Sequence, residues 1–362
     1  MRGKVKRLLL SLIHPNWGSR KAVRDGYTVV IPAPMDMPFL TYLSLEGLRT
    51  LDLTHCREIL VVPDGCATDG GQALAEAIRA SGVPGVKLLS VPRRNKLTLS
   101  LFGHSGIAHW MTIVEAIREA GTDLLYLHDS DAFFTQGNLV EANYLLCKDQ
   151  GLASLGVTTR WDPSFKDLGI RIPGTWELMF SAAWATKWSP VDHKAGQHDT
   201  PVGPVFFDTM LYPQYRDYET GLIKVVESDA FVHLSGTVVT YRKFLDFSER
   251  CVGDELFRLL FLSLLNELSP RIDSEHRLPG VEELALGLLD STRRVHYCFP
   301  DAVRNYREFR ETIRKLVATS LFSPHDSKIA QLLAPFDQQL SKRELVTETS
   351  RPKMRSHGLW LG

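Results

Sequence analysis

The feature that most constrains this chain is its beat. Residues 27–31, 58–62, 86–91 and 123–128 are short β-branched or continuously apolar runs that begin roughly thirty residues apart. Between the first two, Phe39, Leu43, Leu45, Leu48 and Leu51 recur at near-helical spacing over 38–52, and similar stretches cover 72–80 and 109–120. Strands alternating with helices need crossover connections, and crossovers give βαβ units and a parallel sheet. The strands lack polar alternation, so helices must cover both faces of that sheet. The expected fold class is therefore α/β, a Rossmann-like, mainly parallel sheet with helices on both faces. The first strand should stop at Pro32-Ala33-Pro34, residues that interrupt a ladder. A further helix should run to Asp149, followed by a strand over 153–159 and a strand edge over 174–180.

Past residue 248 the character changes. Helical periodicity covers 254–268, 281–294, 302–321 and 327–340, with breaks at Pro270, Pro279-Gly280, Pro300 and Pro324. The expected division is a basic arm over 1–25 and an α/β domain over 26–247, split into halves at 26–135 and 136–247. A C-terminal helical appendage over 248–345 and a flexible polar tail over 346–362 complete it. Basic and acidic residues balance at 42 each, so no net field points to nucleic acid. Cys56, Cys66, Cys147, Cys251 and Cys298 have no Cys-x-x-Cys spacing, which reads as reduced thiols in a cytoplasmic setting. No apolar run reaches the ~20 residues that span a bilayer. The arm carries Arg2, Lys4, Lys6, Arg7, Arg20, Lys21 and Arg24 around the apolar residues 8–13, with Trp17 beyond them. It reads either as a peripheral membrane contact with Trp17 at the interface or as a helix packed on its own domain.

Leu124-Leu-Tyr-Leu-His-Asp-Ser-Asp131 brings two carboxylates, Asp129 and Asp131, to the end of the fourth strand. Ligands of open α/β sheets bind beyond the carboxyl ends of strands. Carboxylates placed there suit a hard cation, Mg²⁺ or Mn²⁺, carrying substrate phosphates. The competing reading is a solvated Asp-rich turn. Asp64 ends the second strand in similar turn chemistry, where its structural reading is an Asx-turn holding Gly65.

Taken in order, Val29-Val-Ile-Pro32, then Glu58-Ile-Leu-Val-Val-Pro-Asp-Gly-Cys-Ala-Thr-Asp69, then Leu127-His-Asp-Ser-Asp131 resemble the ordered blocks of GT-A fold nucleotide-sugar glycosyltransferases, especially the family 2-like group. The resemblance covers about residues 26–135. It implies that residues 26–247 form a GT-A glycosyltransferase domain and that Asp64 meets the donor's nucleobase. Pro32 and Ala33 would face the nucleoside, Asp129 the ribose and metal, and Asp131 would ligate the metal. Pro63, Cys66 and Ala132 depart from the family pattern and leave the nucleobase open. Arg93, Arg94 and Lys96 follow the third strand and could reach the pyrophosphate or form a solvated basic loop. His104 and His109 lack a matching third ligand and read as surface or core residues. His128 has no catalytic role, because its parity turns it from Asp129.

In the second half, Trp161, Trp176, Trp184 and Trp188 offer an acceptor wall or core packing. Asp208 lies between Phe206-Phe207 and an expected helix over 209–215. It reads as a general base for a sugar hydroxyl or as that helix's N-cap, with Asp199 and Glu177 in reserve. His233, in Asp229-Ala-Phe-Val-His-Leu-Ser-Gly236, resembles the late histidine by which many GT-A enzymes complete the metal site; Ser235 and Gly236 would then face phosphate. Otherwise His233 is a core residue. The expected activity is metal-assisted transfer of a sugar from a nucleotide-sugar donor, a UDP-sugar favoured, to a glycan or lipid-linked hydroxyl acceptor in glycan or polysaccharide biosynthesis. Inversion follows the family 2-like resemblance, whereas the His233-x-x-Gly236 segment resembles retaining families. A nucleotidyltransferase would want a Gly-rich basic first loop in place of Pro32-Ala-Pro-Met-Asp36, and a non-catalytic scaffold retaining the fold would bind no nucleotide or bind it indifferently to metal.

Overall fold

The computed structural model describes residues 17–18, 23–64, 70–102, 105–158, 168–227, 229–234, 236–246, 255–272, 276–287 and 302–350. Most of the basic arm, Cys66, His104, Trp161, Ser235, Cys251, Cys298 and tail residues 351–362 lie outside these.

The chain runs β1 (Arg24–Pro34), α1 (Pro38–Leu48), β2 (Cys56–Asp64), α2 (Gly70–Ser81), β3 (Val86–Leu88), α3 (Arg93–Phe102), α4 (Ser105–Glu119), β4 (Thr122–His128), β5 (Ala132–Phe134), α5 (Leu139–Gln150) and β6 (Ser154–Thr158). It continues with β7 (Glu177–Ser181), α6 (Ala182–Ala185), β8 (Gly196–Thr200), β9 (Gly203–Phe207), α7 (Leu211–Arg216), β10 (Ile223–Glu227), β11 (Phe231–His233) and α8 (Thr237–Asp246). The last helices are α9 (Glu255–Leu268), α10 (Val281–Gly287), α11 (Ala302–Val317) and α12 (Asp326–Ser350).

Seven strands form one sheet in the order β10-β6-β7-β4-β1-β2-β3. β4, β1, β2 and β3 pair in parallel, as the spacing of their runs requires. Alternate residues of β1 serve the two faces. Tyr27, Val29, Ile31 and Ala33 join a core with Leu45 and Leu48 of α1, Leu74 of α2 and Tyr144 of α5. Val30 joins another with Ile113, Ala116 and Ile117 of α4. The covered, mainly parallel sheet expected from the strand composition is thus present.

Three expectations need correction. β1 does not stop before Pro32; it pairs with β2 as far as Pro34 opposite Asp64. Its pairing with β4 ends at Val30, so beyond that point one edge demands no N–H and prolines fit. The strand expected over 174–180 is not an edge: β7 lies between β4 and β6 and is antiparallel to both. An interior antiparallel strand is as apolar as a parallel one, so composition does not reveal its direction. Residues 93–96, read as a loop, open helix α3, where Arg94 donates to both Glu115 carboxylate oxygens at 2.7 and 2.8 Å.

The C-terminal helices do not stand apart. Leu256, Leu260, Phe261, Leu264, Phe309, Phe322 and Phe336 share one apolar cluster with Phe39, Leu40 and Leu43 of α1, Phe133 of β5 and Val232 of β11. Phe133 lies edge-on to Phe322 at 5.0 Å and to Phe261 at 6.3 Å. Trp17 is turned toward its own domain, not outward as a membrane anchor would be: its Nε1 donates to the Trp188 carbonyl at 2.6 Å. Among the described residues no helix is long and apolar enough to cross a membrane, and Cys56 and Cys147 are free thiols.

Candidate active site

A cavity of about 300 Å³ opens at the carboxyl ends of β1, β2 and β4. The register of the strands builds it. β2 ends with Asp64 directly opposite Pro34. After β4 the chain turns through Asp129-Ser130-Asp131, closed by the Ala132 amide donating to the Asp129 carbonyl at 3.0 Å, and enters β5. β11 then pairs antiparallel with β5, setting His233 opposite Ala132. A histidine about a hundred residues later is thereby brought beside Asp131, with its Nε2 3.6 Å from Asp131 Oδ1. One ligand atom from each of Asp129, Asp131 and His233 lies within 4.8 Å of the others.

Neighbours fix this trio. The Thr237 hydroxyl, at the start of α8, donates to Asp131 Oδ2. The Trp176 ring sits 4.6 Å from the His233 ring, and the Trp176 carbonyl accepts from the Asp129 amide at 2.9 Å. Arg242, on the same helix as Thr237, reaches to 4.0 Å from Asp64 Oδ2.

The electrostatics are those of a site short of positive charge. Burial, then the neighbouring Asp131, pushes the Asp129 carboxyl well above the usual range. Burial also raises Asp64, with Arg242 only partly opposing it. For Asp131 burial works against charge, but the neighbouring His233 imidazole and the hydrogen bond from Thr237 outweigh it and hold the carboxyl low. Burial likewise disfavours His233 as a cation, and Asp131 reverses the balance so that its pKa is raised. Asp64 Oδ1 and His233 Nδ1 are buried without a hydrogen-bond partner. Two carboxylates and an imidazole converging on one point are a donor set that fits a divalent cation.

Of the residues singled out from sequence, Pro32, Asp64, Asp129, Asp131, Asp208 and His233 all line this cavity. Ala33 does not: it is fully buried in the core beneath, and Pro34 takes the place at the wall. Arg93 is exposed at the start of α3 and is not among the lining residues. Asp208 is exposed rather than enclosed by Phe206 and Phe207. It is not the cap of α7 either; Met210 holds that position with a left-handed φ of 67°, and Asp208 Oδ1 accepts from the Thr209 amide at 2.7 Å. Glu177 is too deep to act as a reserve base, being 1% exposed and bonded to His128 Nδ1. Of the tryptophans, only Trp176 among those described lines the cavity; Trp184 and Trp188 both donate to Asp217 Oδ2, at 2.7 and 3.2 Å.

His109, Thr237 and Arg242 were not singled out for this cavity, yet they line it. Thr237 and Arg242 stand in a short amphipathic helix just after His233, and that proximity in sequence was the one available signal.

No protein-family model matches the sequence, and no match was found among curated proteins. Solved structures of similar outline include a mannosyltransferase from Pyrobaculum calidifontis in complex with GDP-Man and Mn²⁺. It is 13% identical with a TM-score of 0.41, over 92% of this chain and 94% of that one. Glucosyl-3-phosphoglycerate synthase from Mycobacterium tuberculosis is 14% identical with a TM-score of 0.38, over 68% and 81% of the two chains. Residues 1–349 of S. aureus TarS are 14% identical with a TM-score of 0.37, over 91% and 93%.

Proposed function

We propose that this chain is a metal-dependent GT-A-type glycosyltransferase that moves a sugar from a nucleoside diphosphate donor, with a UDP-sugar favoured, to a hydroxyl acceptor. The observation that carries the reading is the convergence of Asp129, Asp131 and His233 on one point, in a cavity whose other walls hold Asp64, Arg242 and Asp208. Bound there, Mn²⁺ or Mg²⁺ supplies positive charge that neutralises the diphosphate as it departs. Asp64 uses its unpartnered Oδ1 to accept an N–H of the nucleobase, which satisfies a buried acceptor. Arg242 offers its guanidinium to a phosphate oxygen. Asp208, exposed at the mouth, takes the proton of the acceptor hydroxyl as that oxygen attacks the anomeric carbon and the bond to the diphosphate breaks. A single displacement of this kind inverts the anomeric centre.

The test is calorimetric titration of UDP and of GDP into the protein, with and without Mn²⁺. The expected outcome is binding of one of them that needs the metal and is lost in Asp131→Asn with the circular dichroism spectrum unchanged. Binding that is indifferent to metal would leave a scaffold that kept the fold, and metal-dependent binding intact in Asp131→Asn would remove the centre of the reading.

A further inference from the structure

Beside the cavity, β8 and β9 form a two-stranded ribbon whose two faces differ. One face is packed: His198 stacks on Tyr212 of α7 at 3.7 Å, and Phe207 lies 5.1 Å from Tyr215. The other face is open, and the register specifies what stands on it. Gln197 pairs with Phe206 and Asp199 with Pro204, and all four are exposed. Phe206 is 65% exposed, an unusual position for a phenylalanine in a strand held down on its opposite face. Asp208, the residue at which the chain leaves β9, is likewise exposed and lines the cavity two residues beyond Phe206.

We infer that the open face of this ribbon is the acceptor platform and that the acceptor is a carbohydrate. The inference rests on the glycosyltransferase reading. A pyranose has one face of C–H groups and a rim of hydroxyls, and the ribbon offers the matching pieces in register. Phe206 supplies a flat ring for the C–H face. Gln197 beside it offers both a donor and an acceptor, and Asp199 offers acceptors, for the rim. The spacing also fits: two residues of extended chain span about 7 Å, roughly one sugar ring, so a hydroxyl of a sugar stacked on Phe206 comes to Asp208. The packed contacts of His198 and Phe207 hold the platform still, which lowers the ordering cost of binding. A bilayer is the competing occupant of an exposed Phe206, but the charged Asp199 on the same face opposes insertion.

Saturation-transfer NMR tests this with methyl glucoside, methyl mannoside, methyl galactoside and maltotetraose, in the presence of Mn²⁺ and the nucleoside diphosphate that binds. At least one sugar should receive saturation, strongest at ring C–H protons. Phe206→Ala should reduce that signal at least fivefold, Phe206→Trp should restore it, and Asp199→Asn should weaken it, all with metal-dependent nucleotide binding unchanged. Sugar signals equal to wild type in Phe206→Ala would overturn the inference. So would silence from the whole panel in protein that binds nucleotide, or sedimentation with anionic phosphatidylserine vesicles that disappears in Phe206→Ala. Absence of nucleotide binding would instead count against the glycosyltransferase reading, so the two failures are separable.

Discussion

Thr237 illustrates how little of the site is chemistry and how much is placement. Its hydroxyl donates to Asp131 Oδ2, occupying one lone pair and turning the other oxygen toward His233. Thr237→Val keeps the shape and all three candidate ligands. It should weaken Mn²⁺ affinity by about tenfold, the scale at which outer partners tune a metal site, as read by Mn²⁺ titration with electron paramagnetic resonance. Unchanged affinity would mean that the Asp131 rotamer is held by packing alone. A second residue, His193, which is not among the residues lining the cavity, sets a pH dependence of its own. Burial strips its ring of water and pushes its pKa down to about 4. Above about 6.5 it is neutral whether the chain is folded or not, so it contributes no slope there. As pH falls below that value the unfolded chain takes up a proton that the folded chain refuses until about 4. Stability therefore declines through this window, by roughly 3 kcal/mol from this residue. His193→Gln keeps an N–H for the Ala185 carbonyl and removes the titration. Urea midpoints followed from pH 7.5 to 4.5 should fall less steeply in the variant, and parallel slopes would place the acid sensitivity elsewhere. The legibility of single residues follows the same division. Asp64, Asp129 and Asp131 could be read from sequence because carboxylates at strand ends stand out against apolar runs. Arg93 was harder to read, because charge after a strand says nothing of which way the next helix points; it stands exposed at the start of α3 and outside the lining of the cavity.

At the scale of elements, the sheet was legible where its strands are parallel and opaque where they are not. The thirty-residue beat located β1, β2, β3 and β4 because each crossover must return across a helix. β7 carries no such signature, and the β8–β9 ribbon hides in a stretch whose glycine, proline and histidine content resembles a loop. β7 nevertheless holds the site from below, through the Trp176 carbonyl before it and Glu177 at its start. Its contact with β6 depends on Gly156. A Cβ there would stand 2.4 Å from Pro173 Cβ and 3.0 Å from the Glu177 carbonyl oxygen, a ring and a backbone group that have little freedom to give way. Gly156→Ala should therefore cost about 1–3 kcal/mol of stability, the usual penalty for overpacking, measured from denaturant unfolding. A midpoint equal to wild type would show that the segment carrying Pro173 yields.

For the whole molecule, the question is whether the C-terminal helices are an appendage. The four helical periodicities and their proline breaks were readable, but a helix's apolar stripe does not say what it faces. Here the stripes of α9, α11 and α12 close on α1, β5 and β11 in one cluster. β5 and β11 are also the strands whose pairing brings His233 to Asp131, so the helical core backs the metal-site candidate directly. The two parts should then unfold together. The tryptophans provide the probe, since Trp110, Trp176, Trp184 and Trp188 lie in the sheet-bearing part and residues 255–350 contain none. Leu260 is fully buried in the shared cluster. Leu260→Ala should cost about 2–5 kcal/mol. Its tryptophan fluorescence should shift with urea at the same midpoint as the far-ultraviolet circular dichroism, because a cavity in a shared core weakens both parts at once. A fluorescence midpoint that stays at the wild-type value while the helical signal melts early would show two autonomous units. The close packing of Phe133 against Phe261 and Phe322 argues for the single transition: β5 cannot keep its place under Asp131 once the rings behind it are lost.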